Sequence, residues 1–215
     1  MLRSGSDIVI ATRNAGKVKE FAPLFMEKGM TVKSLLDFGD MPDIVEDGQT
    51  FAENARIKAR TIALRLGIPV VADDSGLCVD KLDGEPGVFS ARYAGEHASD
   101  EQNNSKLLER LSRLGTPPLA YGDAGGAGAP ASLSGARFVC AICLADGEGR
   151  PIVEVEADCP GGIIAEPRGA NGFGYDPLFY LPEFGQTMAE LDIEQKNKIS
   201  HRGQAIRKLW QALDA

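Results

Sequence analysis

Two adjacent carboxylates, Asp73 and Asp74, follow the short apolar segment 70–72, which has the composition of a buried strand. Neighbouring carboxylates at the end of such a strand repel each other unless a cation or a proton compensates. Mg²⁺ suits this arrangement, because it binds one or two carboxylates together with substrate phosphates, and a carboxylate can also take a proton from attacking water. Glu46 and Glu53 are possible further carboxylates. The alternative is an Asp-rich turn whose side chains cap local N–H groups.

A polar turn follows the apolar segment 7–12 and carries a hydroxyl, an amide and an ammonium, on Thr12, Asn14 and Lys17. Free backbone N–H groups at a helix start, together with these side chains, suit a polyphosphate. The turn lacks the second glycine and the Gly-Lys-Ser/Thr ending of a P-loop. An ordinary strand-to-helix turn with a solvated Lys17 is the alternative.

The glycine-rich stretch 169–174 runs into Phe173-Gly174-Tyr175-Asp176. Small residues permit close backbone approach there, so the ring of Phe173 could stack on a planar base while Asp176 bonds to the base edge. The alternative is a turn that only tucks Phe173 into the core.

A second polar cluster, made of Lys196, Ser200, His201 and Arg202, lies at the start of the last predicted helix. Helix N–H groups and fixed cations favour an anion at this place, and the forked guanidinium of Arg202 can also read acceptors on a base. A solvated charged face is the alternative for Lys196.

Two other kinds of site are disfavoured. Cys140 and Cys143 have CxxC spacing, but positions three apart in a strand point to opposite faces and no second ligand pair accompanies them. His97 and His201 are the only histidines, and neither has a nucleophile-elbow sequence beside it, which argues against a Ser-His-Asp hydrolase.

Alternating strand and helix patterns predict the α/β class, with a hairpin adding an antiparallel element. Predicted strands cover residues 7–12, 30–35, 70–72, 136–145 and 152–158. Predicted helices begin at Lys17, at Phe51 (ending at Leu66), after Ser99 (ending near Gly115) and after Ser200. Pro23 predicts a kink or a short first helix. Residues 117–135, rich in Gly, Ala and Pro, are expected to form a flexible surface insertion in a single domain spanning 1–215.

Composition narrows the function classes. The 215 residues are 43% hydrophobic and 25% charged, which is typical of a globular protein. A net charge of -8 argues against a broad nucleic-acid-binding surface. The sequence has neither a spanning-length apolar run nor the apolar core of a signal peptide, and its four cysteines form no disulfide framework. These observations predict a cytoplasmic protein without a membrane partner.

Six segments together resemble the inosine triphosphate pyrophosphatase family, the Ham1-like enzymes. They are Thr12-Arg13-Asn14-Ala15-Gly16-Lys17, Thr50-Phe51-Ala52-Glu53-Asn54-Ala55, Ala72-Asp73-Asp74-Ser75-Gly76-Leu77, Pro86-Gly87-Val88-Phe89-Ser90-Ala91-Arg92-Tyr93, Gly172-Phe173-Gly174-Tyr175-Asp176-Pro177 and Ser200-His201-Arg202-Gly203. The resemblance runs in order over nearly the whole chain. It implies an elongated α/β fold of two lobes around a long mixed sheet, with the nucleotide in the cleft between the lobes, and usually a homodimer.

The resemblance also implies the reaction, Mg²⁺-dependent hydrolysis of ITP, dITP and XTP to the monophosphate and pyrophosphate. By this resemblance the first turn, residues 12–17, holds the triphosphate, and Ser75 touches the nucleotide. The general base and metal-site carboxylates are Asp74, Asp73 and Glu46. The base site comprises Phe173, Gly174, Tyr175, Asp176, His201 and Arg202, and Lys196 reaches the base or a phosphate. Arg13 stands where many members have glycine, so the turn must avoid a positive φ there.

Two rival functions stay open on the sequence. One is a Maf-like pyrophosphatase of other modified nucleotides. A substrate panel would distinguish it from an inosine triphosphate pyrophosphatase. The other is a sensor that binds the nucleotide without cleaving it, against which the Asp73-Asp74 pair argues, because a pure binder has little use for a base beside its phosphates.

Overall fold

The computed structural model describes Gly5 and residues 7–39, 41–115 and 130–215 of the protein. The strands in these ranges are β1 (Asp7–Ile10), β2 (Thr31–Ser34), β3 (Val70–Val79), β4 (Ser132–Ala145), β5 (Pro151–Ile164), β6 (Phe179–Leu181) and β7 (Gln186–Thr187). The helices are α1 (Ala15–Met26), α2 (Phe51–Leu66), α3 (Asp100–Arg113), α4 (Ile193–Ile199) and α5 (His201–Asp214), and short 3₁₀ turns connect some of these elements. The predicted α/β class is confirmed.

The strands form one mixed sheet in the order β2-β1-β3-β4-β5-β6-β7. Strand β1 is parallel to both of its neighbours, whereas β6 is antiparallel to β5 and to β7. The register pairs Ile10, the last residue of β1, with Val71, near the beginning of β3. Strand β3 therefore continues beyond the end of β1, and the turn after β1 lies beside the middle of β3.

The predicted end of the third strand at Ala72 is wrong. Strand β3 runs on to Val79, so Asp73 and Asp74 lie inside it rather than after its carboxyl end. Both residues are buried. A strand can hold polar residues in its middle when tertiary partners compensate their charges, and those partners come from distant parts of the chain.

Two other elements are also longer than predicted. Strand β4 begins at Ser132, within the predicted insertion, because Ser132 and Ser134 are buried in the sheet and the hydroxyl of Ser132 donates to the carbonyl of Ser134 at 2.8 Å. Residues 117–129 of that insertion lie outside the described part of the chain. Helix α1 contains Pro23 and continues to Met26, so the proline does not end it.

The chain divides into two compact units. The first comprises residues 1–75, 139–158 and 197–215, and the second comprises residues 76–138 and 159–196. The first unit buries apolar side chains from β1, α1, β3, β4 and α5, among them Ile10, Phe25, Val71, Ile142 and Ile206. In the second unit the rings of Phe138 and Phe179 lie 4.4 Å apart, centroid to centroid. Across the described ranges, no helix has the length and hydropathy needed to span a bilayer.

Helix α2 shows how local sequence fixes an element. Thr50 and Glu53 form a reciprocal capping box at its beginning. Gly67 ends it with a φ of 67°, and its N–H donates to the carbonyl of Ala63 at 2.8 Å. That left-handed conformation favours glycine, because a Cβ in it clashes with the chain's own backbone.

We expect Gly67→Ala to lower the free energy of unfolding by about 1 kcal/mol. Gly67→Asn is the matched variant, and it should lose less, because asparagine tolerates the left-handed conformation better than alanine. Urea denaturation measures both. Equal losses for the two variants would show that this end of α2 does not depend on the backbone conformation.

Candidate active site

The turn between β1 and α1 places a cation against Asp73. Asn14 caps α1 by accepting the N–H of Lys17 at 3.1 Å, and the hydroxyl of Thr12 accepts the N–H of Asn14 at 3.1 Å. With the turn fixed in this way, the Nζ of Lys17 lies 2.8 Å from Oδ2 of Asp73. The turn therefore combines the N-terminus of α1 with an ammonium, and both of these favour an anion.

The other three residues of this turn that were predicted to contact substrate are Arg13, Ala15 and Gly16. Ala15 and Gly16 open helix α1. Arg13 instead donates to Oδ1 of Asp43 at 2.7 Å and to the carbonyl of Met41 at 2.8 Å. The φ of Arg13 is not positive, which confirms the expectation drawn from the missing glycine.

Asp73 also pairs through Oδ2 with Arg202, whose side chain is almost completely buried. The guanidinium donates to Oγ of Ser75 at 2.8 Å and forms an ion pair with the carboxylate of Glu20. Ser75 in turn donates to Oδ2 of Asp73 at 2.7 Å. Two cations and two carboxylates therefore compensate one another inside the first unit.

Helix α5 delivers Arg202 to this network. Ser200 caps the helix by accepting the N–H of Gly203 at 3.2 Å, which places His201 and Arg202 in the first turn. His201 is buried as well. A Cβ at Gly203 would lie only 1.9 Å from the carbonyl oxygen of Asn197, so glycine is required for α5 to pack this closely.

Asp74 belongs to a second group built on a residue that the sequence analysis missed. The Nζ of Lys58, in α2, lies 2.8 Å from Oδ1 of Asp74 and 2.9 Å from Oε2 of Glu46. The amide of Asn54, one turn earlier, donates to Oδ2 of Asp74 at 3.3 Å. The interval of four between Asn54 and Lys58 places both on one helix face, and this pattern could have indicated them.

The two adjacent carboxyl groups have pKa values shifted in opposite directions. Burial by itself would raise the pKa of Asp73, but Lys17, Arg202 and Lys58 outweigh it and hold that pKa well below its usual range. Burial raises the pKa of Asp74 above its usual value despite the ammonium groups of Lys58 and Lys17. Neighbouring acids with separated pKa values are typical of a site with divided acid–base roles. Asp73 stays an anion, and Asp74 is suited to accept a proton.

The oxygen donors suit a hard divalent cation. Glu46 and Asp74 converge on one ammonium, and Oδ1 of Asp73 is buried with no hydrogen-bond partner in the described chain. No cluster of three or more His, Cys, Asp or Glu side chains suited to a metal occurs among the described residues. Magnesium commonly uses only one or two protein carboxylates and completes its shell with water and phosphate oxygens, so these residues fit it.

The surroundings of Cys140 and Cys143 also disfavour the zinc site that their CxxC spacing brings to mind. Both cysteines are buried in β4, and burial raises the pKa of each thiol to about 12. A thiol must lose its proton to bind zinc, so these two remain packing residues.

In the second unit, Phe173, Asp176 and Lys196 come together as predicted. The Nζ of Lys196 lies 2.5 Å from Oδ2 of Asp176 and 5.2 Å from the centroid of the half-buried Phe173 ring. The same carboxylate oxygen accepts the N–H of Phe173 at 2.9 Å. Lys196 is 3% exposed, so the alternative of a solvated charged face is wrong for this residue.

The backbone around this cluster permits little variation. A Cβ at Gly172, where φ is 77°, would lie 2.1 Å from Oδ2 of Asp176. Tyr175 is buried and its hydroxyl donates to the carbonyl of Ser90 at 2.9 Å, so it braces the loop. Gly174, also with positive φ, is held from outside the loop by Asp100 and Asn104.

Removing the charge of Glu20 should strongly destabilise the fold, because it leaves the buried Arg202 undercompensated. We expect Glu20→Gln to lower the free energy of unfolding by about 3 kcal/mol. Asp43→Asn is the matched control, since the side chain of Asp43 is 95% exposed in its pair with Arg13 and should matter little. Chemical denaturation of both variants tests this, and equal small losses would contradict it.

Comparisons with known proteins place the chain in a family. The sequence profile of the Ham1 family matches residues 8–212. A dITP/XTP pyrophosphatase of Geobacillus kaustophilus is 56% identical over 94% of this chain and 92% of its own length. Another, of Halalkalibacterium halodurans, is 48% identical over 96% of this chain and 98% of its own length.

Solved structures show the same relationship. A HAM1 protein from Coxiella burnetii superimposes with a TM-score of 0.80 at 41% identity, over 97% of this chain and 98% of the other. The Staphylococcus aureus Ham1 protein gives a TM-score of 0.75 at 40% identity and the same coverage. On these matches, which extend over nearly its whole length, the chain belongs to the Ham1 family.

Proposed function

We propose that this protein hydrolyses ITP, dITP and XTP to the nucleoside monophosphate and pyrophosphate, and so removes deaminated purine nucleotides. The observation that carries the proposal is the Asp73-Asp74 pair, in which Lys17 and Arg202 hold one carboxylate as an anion while burial raises the pKa of the other, which lies 2.8 Å from Lys58. The names of the family relatives, dITP/XTP pyrophosphatase, support the same substrates. They also favour this function over a Maf-like pyrophosphatase.

Asp74 is the proposed general base. It takes a proton from water while the water oxygen forms a bond to the α-phosphorus, and the bond from that phosphorus to the bridging oxygen of pyrophosphate breaks. The leaving pyrophosphate keeps the electron pair of the broken bond. Lys17 and the N–H groups at the beginning of α1 stabilise its charge, with Thr12, Arg13, Asn14, Ala15 and Gly16 shaping the turn.

Glu46, Asp74 and Asp73 are the proposed holders of Mg²⁺. When bound, the ion would neutralise phosphate charge and polarise a phosphoryl oxygen. Lys58 occupies the space between two of these carboxylates and keeps them from repelling each other. Its own pKa would be lowered by burial, but Asp74, Asp73 and Glu46 raise it above the usual value, so Lys58 stays charged.

The base is proposed to bind at the cluster of Phe173, Asp176 and Lys196. The ring of Phe173 stacks on the purine, and Gly174 and Tyr175 maintain the loop. Hypoxanthine and xanthine present a 6-oxo acceptor where adenine has an amino donor, so cationic donors, including Lys196 and Arg202, favour them. Ser75 and His201 complete the proposed contacts to the nucleotide.

We also propose one functional domain over the whole chain, acting as a homodimer in the cytoplasm. The family profile, which spans residues 8–212 without a break, supports a single functional domain. The four free cysteines suit a reducing compartment. Analytical ultracentrifugation distinguishes a dimer from a monomer.

A substrate panel tests the proposed function. We expect dITP and XTP to be cleaved far faster than dATP and dGTP, with pyrophosphate as the product and with dependence on added Mg²⁺. Orthophosphate as the product would place cleavage at the γ position, and equal rates for all bases would contradict base selection. Binding of dITP without cleavage would instead support the sensor.

The pH profile tests the role of Asp74. Because a general base must be deprotonated, kcat/KM should fall as pH drops through the raised pKa of Asp74. Lys58→Met removes a charge that lowers this pKa, so the acid limb should move to higher pH, whereas the exposed Lys19→Met should leave it in place. Asp74→Asn should lose about 10²–10⁴-fold in kcat. Near-normal activity of Asp74→Asn, or an unmoved limb in Lys58→Met, would contradict the assignment.

A further inference from the structure

The loop that carries Phe173 is held at a single residue by helix α3. The N–H of Gly174 donates to Oδ2 of Asp100 at 2.6 Å, and the carbonyl of Gly174 accepts from Nδ2 of Asn104 at 3.0 Å. Asp100 and Asn104 are four residues apart at the beginning of α3, so they lie on one helix face. Both polar groups of one residue are therefore bound by one rigid element.

Helix α3 is well anchored for such a role. Ser99 and Gln102 form a reciprocal capping box at its beginning. The buried amide of Asn103 accepts the N–H of Ala94 at 2.8 Å and donates to the carbonyl of Ala91 at 3.2 Å. Leu107 is buried one turn further on. A platform fixed in this way transmits its position to whatever it binds.

The loop is also anchored from within, by the carboxylate of Asp176. Oδ2 of Asp176 accepts the N–H of Phe173 and the ammonium of Lys196. Gly174 lies between Phe173 and Asp176 with a φ of 62°, a conformation that favours glycine. The orientation of the Phe173 ring is thus set by Asp176 from within the loop and by α3 from outside it.

We propose that Asp100 and Asn104 are positioning residues of the purine site, which hold Gly174 and so fix the stacking face of Phe173 and the carboxylate of Asp176. The proposal rests on the proposed function, since it assigns the base to this loop. The bond from the Gly174 N–H to Asp100 ends on a carboxylate, and hydrogen bonds to charged acceptors are about twice as strong as neutral ones. A loosened loop binds the base less tightly and distinguishes purines less well.

Substitutions on α3 test this through kinetics. Asp100→Ala and Asn104→Ala should each raise KM for dITP about tenfold, the equivalent of losing about 1.4 kcal/mol of binding, while kcat stays within about twofold. The preference for dITP over dGTP should fall in parallel. Glu101→Ala is the matched control, because Glu101 is an exposed acid in the same helical turn, and it should behave like the wild type.

A double-mutant cycle separates positioning from general destabilisation. In a Phe173→Ala background, Asp100→Ala should add little to the loss of dITP affinity, because the ring it positions is gone. Asn104→Asp should behave like Asn104→Ala, since it replaces the donor facing the Gly174 carbonyl with an acceptor. Thermal unfolding of all variants shows whether any loss of dITP affinity comes from a less stable fold.

The possible outcomes are distinct. A raised KM with retained kcat and a strong interaction with Phe173→Ala supports the positioning role. Wild-type values of KM and preference in both α3 variants, or additive losses in the cycle, overturn it while leaving the proposed function intact. A wild-type protein that does not cleave dITP overturns the proposed function and this assignment together.

Discussion

The compensation of one buried carboxylate, Asp73, is the constraint on which the first unit depends. A carboxylate at 1% exposure is too costly to keep ionised without partners, and Lys17 and Arg202 provide them from opposite ends of the chain. Arg202 in turn needs Glu20, from helix α1. The turn after β1, the middle of β3 and the beginning of α5 are consequently held in one arrangement by charge. The same charges leave Lys17 and the α1 N-terminus beside the proposed phosphate position.

The neighbouring residue shows why adjacency in a strand is useful for catalysis. Asp73 and Asp74 are joined in the chain, yet their carboxylates form hydrogen bonds and ion pairs with different partners. Asp73 faces two cations that keep it ionised, whereas Asp74 shares Lys58 with Glu46 and accepts an amide from Asn54. Asp73 therefore organises the structure, and Asp74 is the residue to which we assign the proton transfer. Family membership and this division of roles together give the proposed chemistry its basis.

In the second unit, the ring of Phe173 lies on an irregular loop rather than on a helix or strand. Loops of this kind lack the regular hydrogen bonds of helices and strands, so side chains must satisfy the backbone. Asp176 does this from within the loop, and helix α3 does so from outside at Gly174. Glycines at 172 and 174 permit the turn, and at 172 any side chain would collide with Asp176. The conformation of this loop is thus held by side-chain hydrogen bonds rather than by sheet pairing.

Local patterns in the sequence were enough to predict the α/β class, helix α2 with its capping box, the turn at Asn14, the Phe173 loop and the caps of the last helix, because each depends on residues close together in the chain. They could not place the end of β3, since its extension past Ala72 depends on sheet pairing and on charges from distant segments. Glu20 carried no local mark of its role, the spacing of Asn54 and Lys58 did not show which carboxylate they meet, and a solvated Lys196 stayed open as an alternative. Only tertiary packing decided these points, because the cost of burying a charge depends on partners that the linear sequence does not place beside it.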